Sequence, residues 1–181
     1  MEFITTDISG LIVIKPKVHG DDRGFFVESY SRERFEQAGI TTSFIQDNHS
    51  CSVAPGVLRG LHFQKPPFAQ VKLVRVTRGC ILDVVVDLRK ESPTFMQWRS
   101  FELCAENFTM LYIPAGFAHG FCTLAPNTHV QYKVDAPYAP EADSGIIWND
   151  PQIGITWPVT APVLSAKDAA LPSLSNNPSP F

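Results

Sequence analysis

Short apolar segments recur along the chain, cut by Gly, Pro, Asn and Asp at intervals too brief for helices, and polarity within them alternates with a period of two. This pattern predicts strands over 11–15, 24–30, 43–52, 57–64, 71–77, 80–88, 97–104, 110–113, 120–124 and 129–134. About ten short strands in one domain call for closure, because closure removes edges that would otherwise aggregate. The expected fold is therefore all-β, a double-stranded β-helix or jelly-roll barrel with short helices. Ser31 is a plausible N-cap for a helix over 32–38 that Gly39 stops, and Ser165 can cap a turn containing Lys167 and Asp168. Residues 172–181, with three prolines among Ser and Asn, read as an extended tail with no core of its own. No linker or internal repeat divides the chain, so residues 1–181 are expected to form a single domain.

Two histidine runs stand out. In Leu58-Arg59-Gly60-Leu61-His62-Phe63-Gln64, alternation places His62 on the same strand face as Gly60 and Gln64, a polar face suited to a pocket wall. In Pro114-Ala115-Gly116-Phe117-Ala118-His119, a Pro and a Gly bend the chain before a histidine set among apolar and small residues. Cupin-type jelly rolls often bind a metal through H-x-H plus Glu and a final His in P-x-G-x-x-H. Here the second signature is present and the first is not, since Gln64 follows His62 and Phe68 or Ala69 stands where the carboxylate would be. Two imidazoles fall short of the usual ligand set of about three, so the pocket is expected to be metal-free, with its histidines available for proton transfer.

A neutral imidazole, with an ordinary pKa of about 6.5, is a natural general base, and a carboxylate beside it would fix the tautomer. Asp168 and Asp83 are the candidates, and the residues alone do not choose between them. Lys72 lies in an apolar strand, where an ammonium must find a partner, a cavity or solvent. Arg23 and Arg59 offer planar forks suited to phosphate, and Tyr132 could donate a proton.

Charge and composition narrow the classes further. The 181 residues carry a net charge of −3, against a general nucleic-acid surface. The longest apolar run, 81–86, is broken by Asp83, so no segment is expected to span a membrane, and the N-terminus has no leader pattern; a cytoplasmic location is expected. Cys51, Cys80, Cys104 and Cys122 form no C-x-x-C pair and read as reduced core thiols.

Taken together, the motifs closely resemble the dTDP-4-dehydrorhamnose 3,5-epimerase family of metal-free, cupin-like nucleotide-sugar epimerases. The matching stretches include Gly20-Asp21-Asp22-Arg23-Gly24-Phe25-Phe26 with Glu28, Gln46-Asp47-Asn48-His49-Ser50, both histidine runs, Gln70-Val71-Lys72-Leu73-Val74-Arg75, Ser92-Pro93-Thr94, Tyr132-Lys133, Trp148-Asn149-Asp150-Pro151 and Leu164-Ser165-Ala166-Lys167-Asp168. The resemblance implies that His62 is the base, polarised by Asp168, that Tyr132 is the acid and that Lys72 stabilises an enolate oxygen, with no cofactor. It implies that His119 lines the sugar site, that Arg23, Glu28, Gln46, Asp47, Asn48, Arg59, Asp143 and Lys167 hold the nucleotide diphosphate-sugar, and that Tyr138 stacks on thymine. It also implies a homodimer in which N-terminal strands serve the partner. The implied reaction converts dTDP-4-dehydro-6-deoxy-D-glucose to dTDP-4-dehydro-L-rhamnose. Single-centre epimerisation of a related sugar and a non-catalytic nucleotide-sugar-binding barrel remain as alternatives. Met96, where the family commonly has Gly, and Asp143, where Glu is common, depart from the pattern away from the proton-transfer set.

Overall fold

Every predicted strand has a counterpart in the computed structural model, which describes residues 1–181 and adds three short strands. Six strands form one antiparallel sheet in the order β1 (Glu2–Thr5), β2 (Ile12–Lys15), β10 (Met110–Ile113), β7 (Lys72–Arg78), β12 (Thr128–Val134) and β5 (Gln46–Ser52). Five form a second, in the order β13 (Asp143–Gly145), β6 (Leu58–Gln64), β11 (Phe117–Thr123), β8 (Cys80–Asp87) and β9 (Trp98–Cys104). A two-stranded hairpin, β3 (Val18–Asp21) and β4 (Gly24–Val27), stands apart. The two larger sheets face each other as the expected jelly roll.

The space between the sheets is filled by side chains from both, including Val74, Val76, Leu111 and Val130 opposite Ile81, Val85, Leu103 and Phe121. The five-stranded sheet is also covered on its other face, where Leu61, Phe63, Val84, Val86 and Ala118 meet Ile146, Ile153 and Leu174. Burial on both faces explains why β8 reads as a nearly continuous apolar run; each such side chain contributes about 1.5–3 kcal/mol. The outer face of the six-stranded sheet is covered by α1 (Arg32–Gln37), whose Phe35 packs with Ile14, Leu73 and Met110. Ser31 caps α1 by accepting from the Arg34 N–H, and Gly39, with φ of 82°, ends it in the left-handed region. The short α2 (Ala166–Ala169) begins at the expected cap, Ser165.

The extended tail docks on the domain: Leu174 and Ser179 are buried, and Phe181 packs edge-on against Phe63. Two expectations are corrected. Cys80 and Cys104 are direct cross-strand partners on β8 and β9 and are joined as a disulfide, whereas Cys51 is exposed; only Cys122 is a buried thiol. His119 lies within β11, which starts at Phe117 rather than after the histidine. Met96 adopts φ of 64°, in the left-handed region that favours glycine, and packs against the second core. No helix is long and apolar enough to cross a membrane.

Candidate active site

The two histidine runs meet. β6 and β11 pair antiparallel, with His62 and His119 as direct partners, so both rings leave the five-stranded sheet toward the space between the sheets. Gly60 makes this pairing possible: a Cβ there would lie 2.5 Å from the Gly120 Cα, and its φ of 136° is open to glycine alone. On the opposite sheet β7 pairs with β12, and Tyr132 stands opposite Val74, two positions from Lys72, so Lys72 and Tyr132 share a face. A cavity of about 290 Å³ separates the two groups; it is lined by Arg59, His62, Lys72, His119, Tyr132, Lys167 and Asp168, together with Ser50, Phe121 and Ser165.

Each histidine has its own carboxylate, which resolves the choice left open by the residues alone. His62 Nε2 lies 2.6 Å from Asp168 Oδ1, a close imidazole–carboxylate contact in which that oxygen sits off the ring N–H direction. Asp168 also accepts from the Ser165 hydroxyl at 2.6 Å and from the Gly60 N–H at 3.3 Å. Burial pushes the Asp168 carboxyl up, but His62, Ser165 and the Gly60 N–H outweigh it and hold the pKa at about 2. His119 Nε2 meets Asp83 Oδ2 at 2.8 Å. Burial lowers the His119 pKa despite Asp83, with Lys72 and His62 adding repulsion.

Lys72 is the most perturbed cation of the site. Burial pulls its pKa from the ordinary 10.5 to about 8, against the attraction of Asp83 and Asp143 and with the repulsion of Lys167. Burial raises Tyr132, while Arg59 and Lys167 draw it down, so its hydroxyl keeps its proton at neutral pH. Three cations around one cavity favour an anionic ligand, and a protonated phenol faces an imidazole across it.

The remaining expected binding residues are placed less uniformly. Asp143 accepts from Lys167 Nζ and from the Tyr138 hydroxyl, tying both to the cavity rim. Gln46 donates to Asn48 on β5, and Asp47 pairs with Lys133 at 2.8 Å beside a separate cleft. Arg23 and Glu28 are not brought to this cavity: Arg23 is exposed and bound to Asp21, and Glu28 pairs with Arg34 at 2.7 Å. Gln64 is a structural anchor, its amide donating to the Phe68 and Pro137 carbonyls and accepting from the Ala139 N–H. The H-x-H ligand pair of metal-holding jelly rolls is therefore not formed here. Ser165, expected only as a cap, also orients Asp168; the S-x-x-D spacing that marks the cap was its signal.

A profile of the family described as dTDP-4-dehydrorhamnose 3,5-epimerase matches residues 5–176. The enzyme of that name from Salmonella typhimurium is 52% identical over 176 residues, covering 96% of this chain and 96% of its own length. That from Pseudomonas aeruginosa is 54% identical over 163 residues, covering 89% of each. Among solved structures, dTDP-4-dehydrorhamnose 3,5-epimerase from Bacillus anthracis with TDP and PPi bound superposes with a TM-score of 0.94 at 54% identity, covering 96% of this chain and 99% of that one. With sequence, fold and length in agreement, the chain belongs to the dTDP-4-dehydrorhamnose 3,5-epimerase family.

Proposed function

We propose that His62 and Tyr132 are the base and acid with which this epimerase converts dTDP-4-dehydro-6-deoxy-D-glucose to dTDP-4-dehydro-L-rhamnose. Family membership makes the chain an isomerase of the epimerase class. The observation that carries the assignment is the placement of the two groups on facing sheets across one cavity. A ketone at C4 of the sugar acidifies the protons on C3 and C5 alike, because loss of either gives an enolate. Inversion needs the proton removed from one face of the ring and another delivered to the opposite face. His62, held by Asp168 through one nitrogen, takes the proton on the other. Tyr132 donates from across the cavity, and solvent restores both groups.

Lys72 stabilises the enolate oxygen. An ammonium removed from water interacts more strongly with a developing oxyanion than a hydrated one would. Arg59 and Lys167 suit the diphosphate, the ligand chemistry that the Bacillus anthracis structure contains.

We infer that the molecule works as a homodimer. On the β3–β4 hairpin Phe25 is 64% and Phe26 70% exposed, unusual for aromatic rings, and Arg23 points into solvent beside them. A second copy accepting this hairpin would bury the rings and bring Arg23 and Glu28 to its own cavity.

The test is proton NMR of the purified protein with the 4-keto substrate in D₂O, following the C3 and C5 signals. Wild-type protein is expected to lose both signals, and His62→Ala neither, with TDP affinity nearly intact. Wild-type exchange in His62→Ala would remove that residue from the mechanism. Loss of a single signal in the wild type would make it a single-centre epimerase.

A further inference from the structure

Behind the cavity wall sits a carboxylate that proton transfer between His62 and Tyr132 does not use. Asp83, on β8, is fully buried and does not line the cavity. Its Oδ2 accepts from His119, while its Oδ1 is buried with no partner. A buried carboxylate oxygen without a partner costs stability, and the low local dielectric strengthens its interaction with nearby charges. Burial favours the neutral form of the His119 ring, and His119 and Lys72 line the same cavity. Asp83 shares the inward face of β8 with Ile81 and Val85, opposite the face of β7 that carries Lys72 and Val74.

The other groups around Lys72 do not replace it. Asp143, on β13, also attracts Lys72, but it is already engaged by Lys167 and Tyr138. Lys167, on α2, repels it. His62 on β6 is matched to Asp168, and Tyr132 on β12 keeps its proton, so neither offers an anion.

We propose that Asp83 is a positioning residue, the buried counter-ion that keeps Lys72 charged and fixes the His119 ring beside it, so that the enolate oxygen meets an ammonium rather than an amine. The proposal rests on the assignment of Lys72 to that oxygen. Burial alone would carry Lys72 further down; Asp83, ahead of Asp143, is the largest influence holding it at about 8. Without Asp83 the amine would become the main form near neutral pH, and the alkaline limit of activity would move into the working range.

The experiment reads Lys72 directly as well as through turnover. Acetylation of Lys72 by acetic anhydride, followed by peptide mass spectrometry across pH in the absence of substrate, is expected to show a midpoint near 8 in the wild type. In Asp83→Asn that midpoint should fall by about one to three units, the usual effect of a close opposite charge, with the alkaline limb of kcat/KM following it. Asp83→Glu should return both toward the wild-type values. An unmoved acetylation midpoint in folded Asp83→Asn overturns the proposal. A midpoint that falls while the alkaline limb stays in place supports the counter-ion role and refutes instead the part given to Lys72 in the reaction. Should Asp83→Asn not fold, Asp83→Ser, a second carboxyl-free variant with room for water, is read by the same two outcomes.

Discussion

Replacing Lys72 with Met should produce an enzyme that is both more stable and nearly inactive. Lys72 is desolvated, and its pKa falls from 10.5 to about 8, so at pH 7 its charge is worse off in the folded than in the unfolded state. At about 1.4 kcal/mol per unit, that displacement costs on the order of 3 kcal/mol. Met fills a similar volume without a charge, and after imperfect packing a gain of about 1–3 kcal/mol should remain, or roughly 2–10 °C in Tm for a chain of this size. The gain depends on pH in a defined direction. Between pH 8 and 10.5 the folded wild type has lost the proton that the unfolded chain still holds, so wild-type stability rises with pH and the gap to Lys72→Met closes. Loss of a preorganised cation at the enolate oxygen should lower kcat by about 10²–10³. Calorimetry at pH 7 and 10 with a coupled epimerase assay measures both effects. A variant less stable than wild type at pH 7, or one retaining most of its kcat, would show that Lys72 neither bears that cost nor serves the oxyanion.

Two further outcomes are expected. Asp168 and Asp87 are buried carboxylates; burial pushes both up, but their hydrogen-bond partners, His62 and Ser165 for one and Arg89, Ser92 and Thr94 for the other, hold each at about 2. Each should contribute about 2 kcal/mol that is complete above pH 4 and lost as pH falls through 2, so urea midpoints should drop across that window; unchanged midpoints would contradict the pairing. Arg59→Ala should weaken TDP binding by about 1.5–3 kcal/mol in isothermal titration, since the Arg59 guanidinium makes only long bonds to Ser52 and to the Cys51 carbonyl at 3.3 Å and is free to take phosphate. Unchanged affinity would place the phosphates elsewhere.

Much of this architecture is legible in the chain because alternation and turn residues are local signals. β6 and β12 announce themselves by polarity, and β8 by an apolar run that needs cover on both faces. The strands that escape are short or unpatterned: every residue of β3 is exposed, and β13 is three residues held by pairing with β6. In the site, the histidines, Lys72 and Tyr132 are readable as residue types in strands, but their opposition depends on which sheet each strand joins, and that is a property of the closed barrel. The match of Asp168 to His62 and Asp83 to His119 is equally non-local. Gly60 and Asp168, joined by a hydrogen bond, are 108 residues apart. The Cys80–Cys104 disulfide escaped because register across a hairpin, not spacing in the chain, sets it. Gln64 misled in the other direction, since alternation placed it on the pocket face while three backbone groups of the 64–139 region claim its amide.

The central claim is that His62 and Tyr132 act from opposite faces of the sugar ring, and Tyr132→Phe tests it most directly. Incubated with the 4-keto substrate in D₂O and followed by NMR, this variant should still exchange ring protons for deuterium through His62, but return them to the face they left. The recovered sugar would then be deuterated with its original configuration. Formation of the inverted sugar at the wild-type rate by Tyr132→Phe would contradict the account, because the second proton would then come from somewhere other than Tyr132.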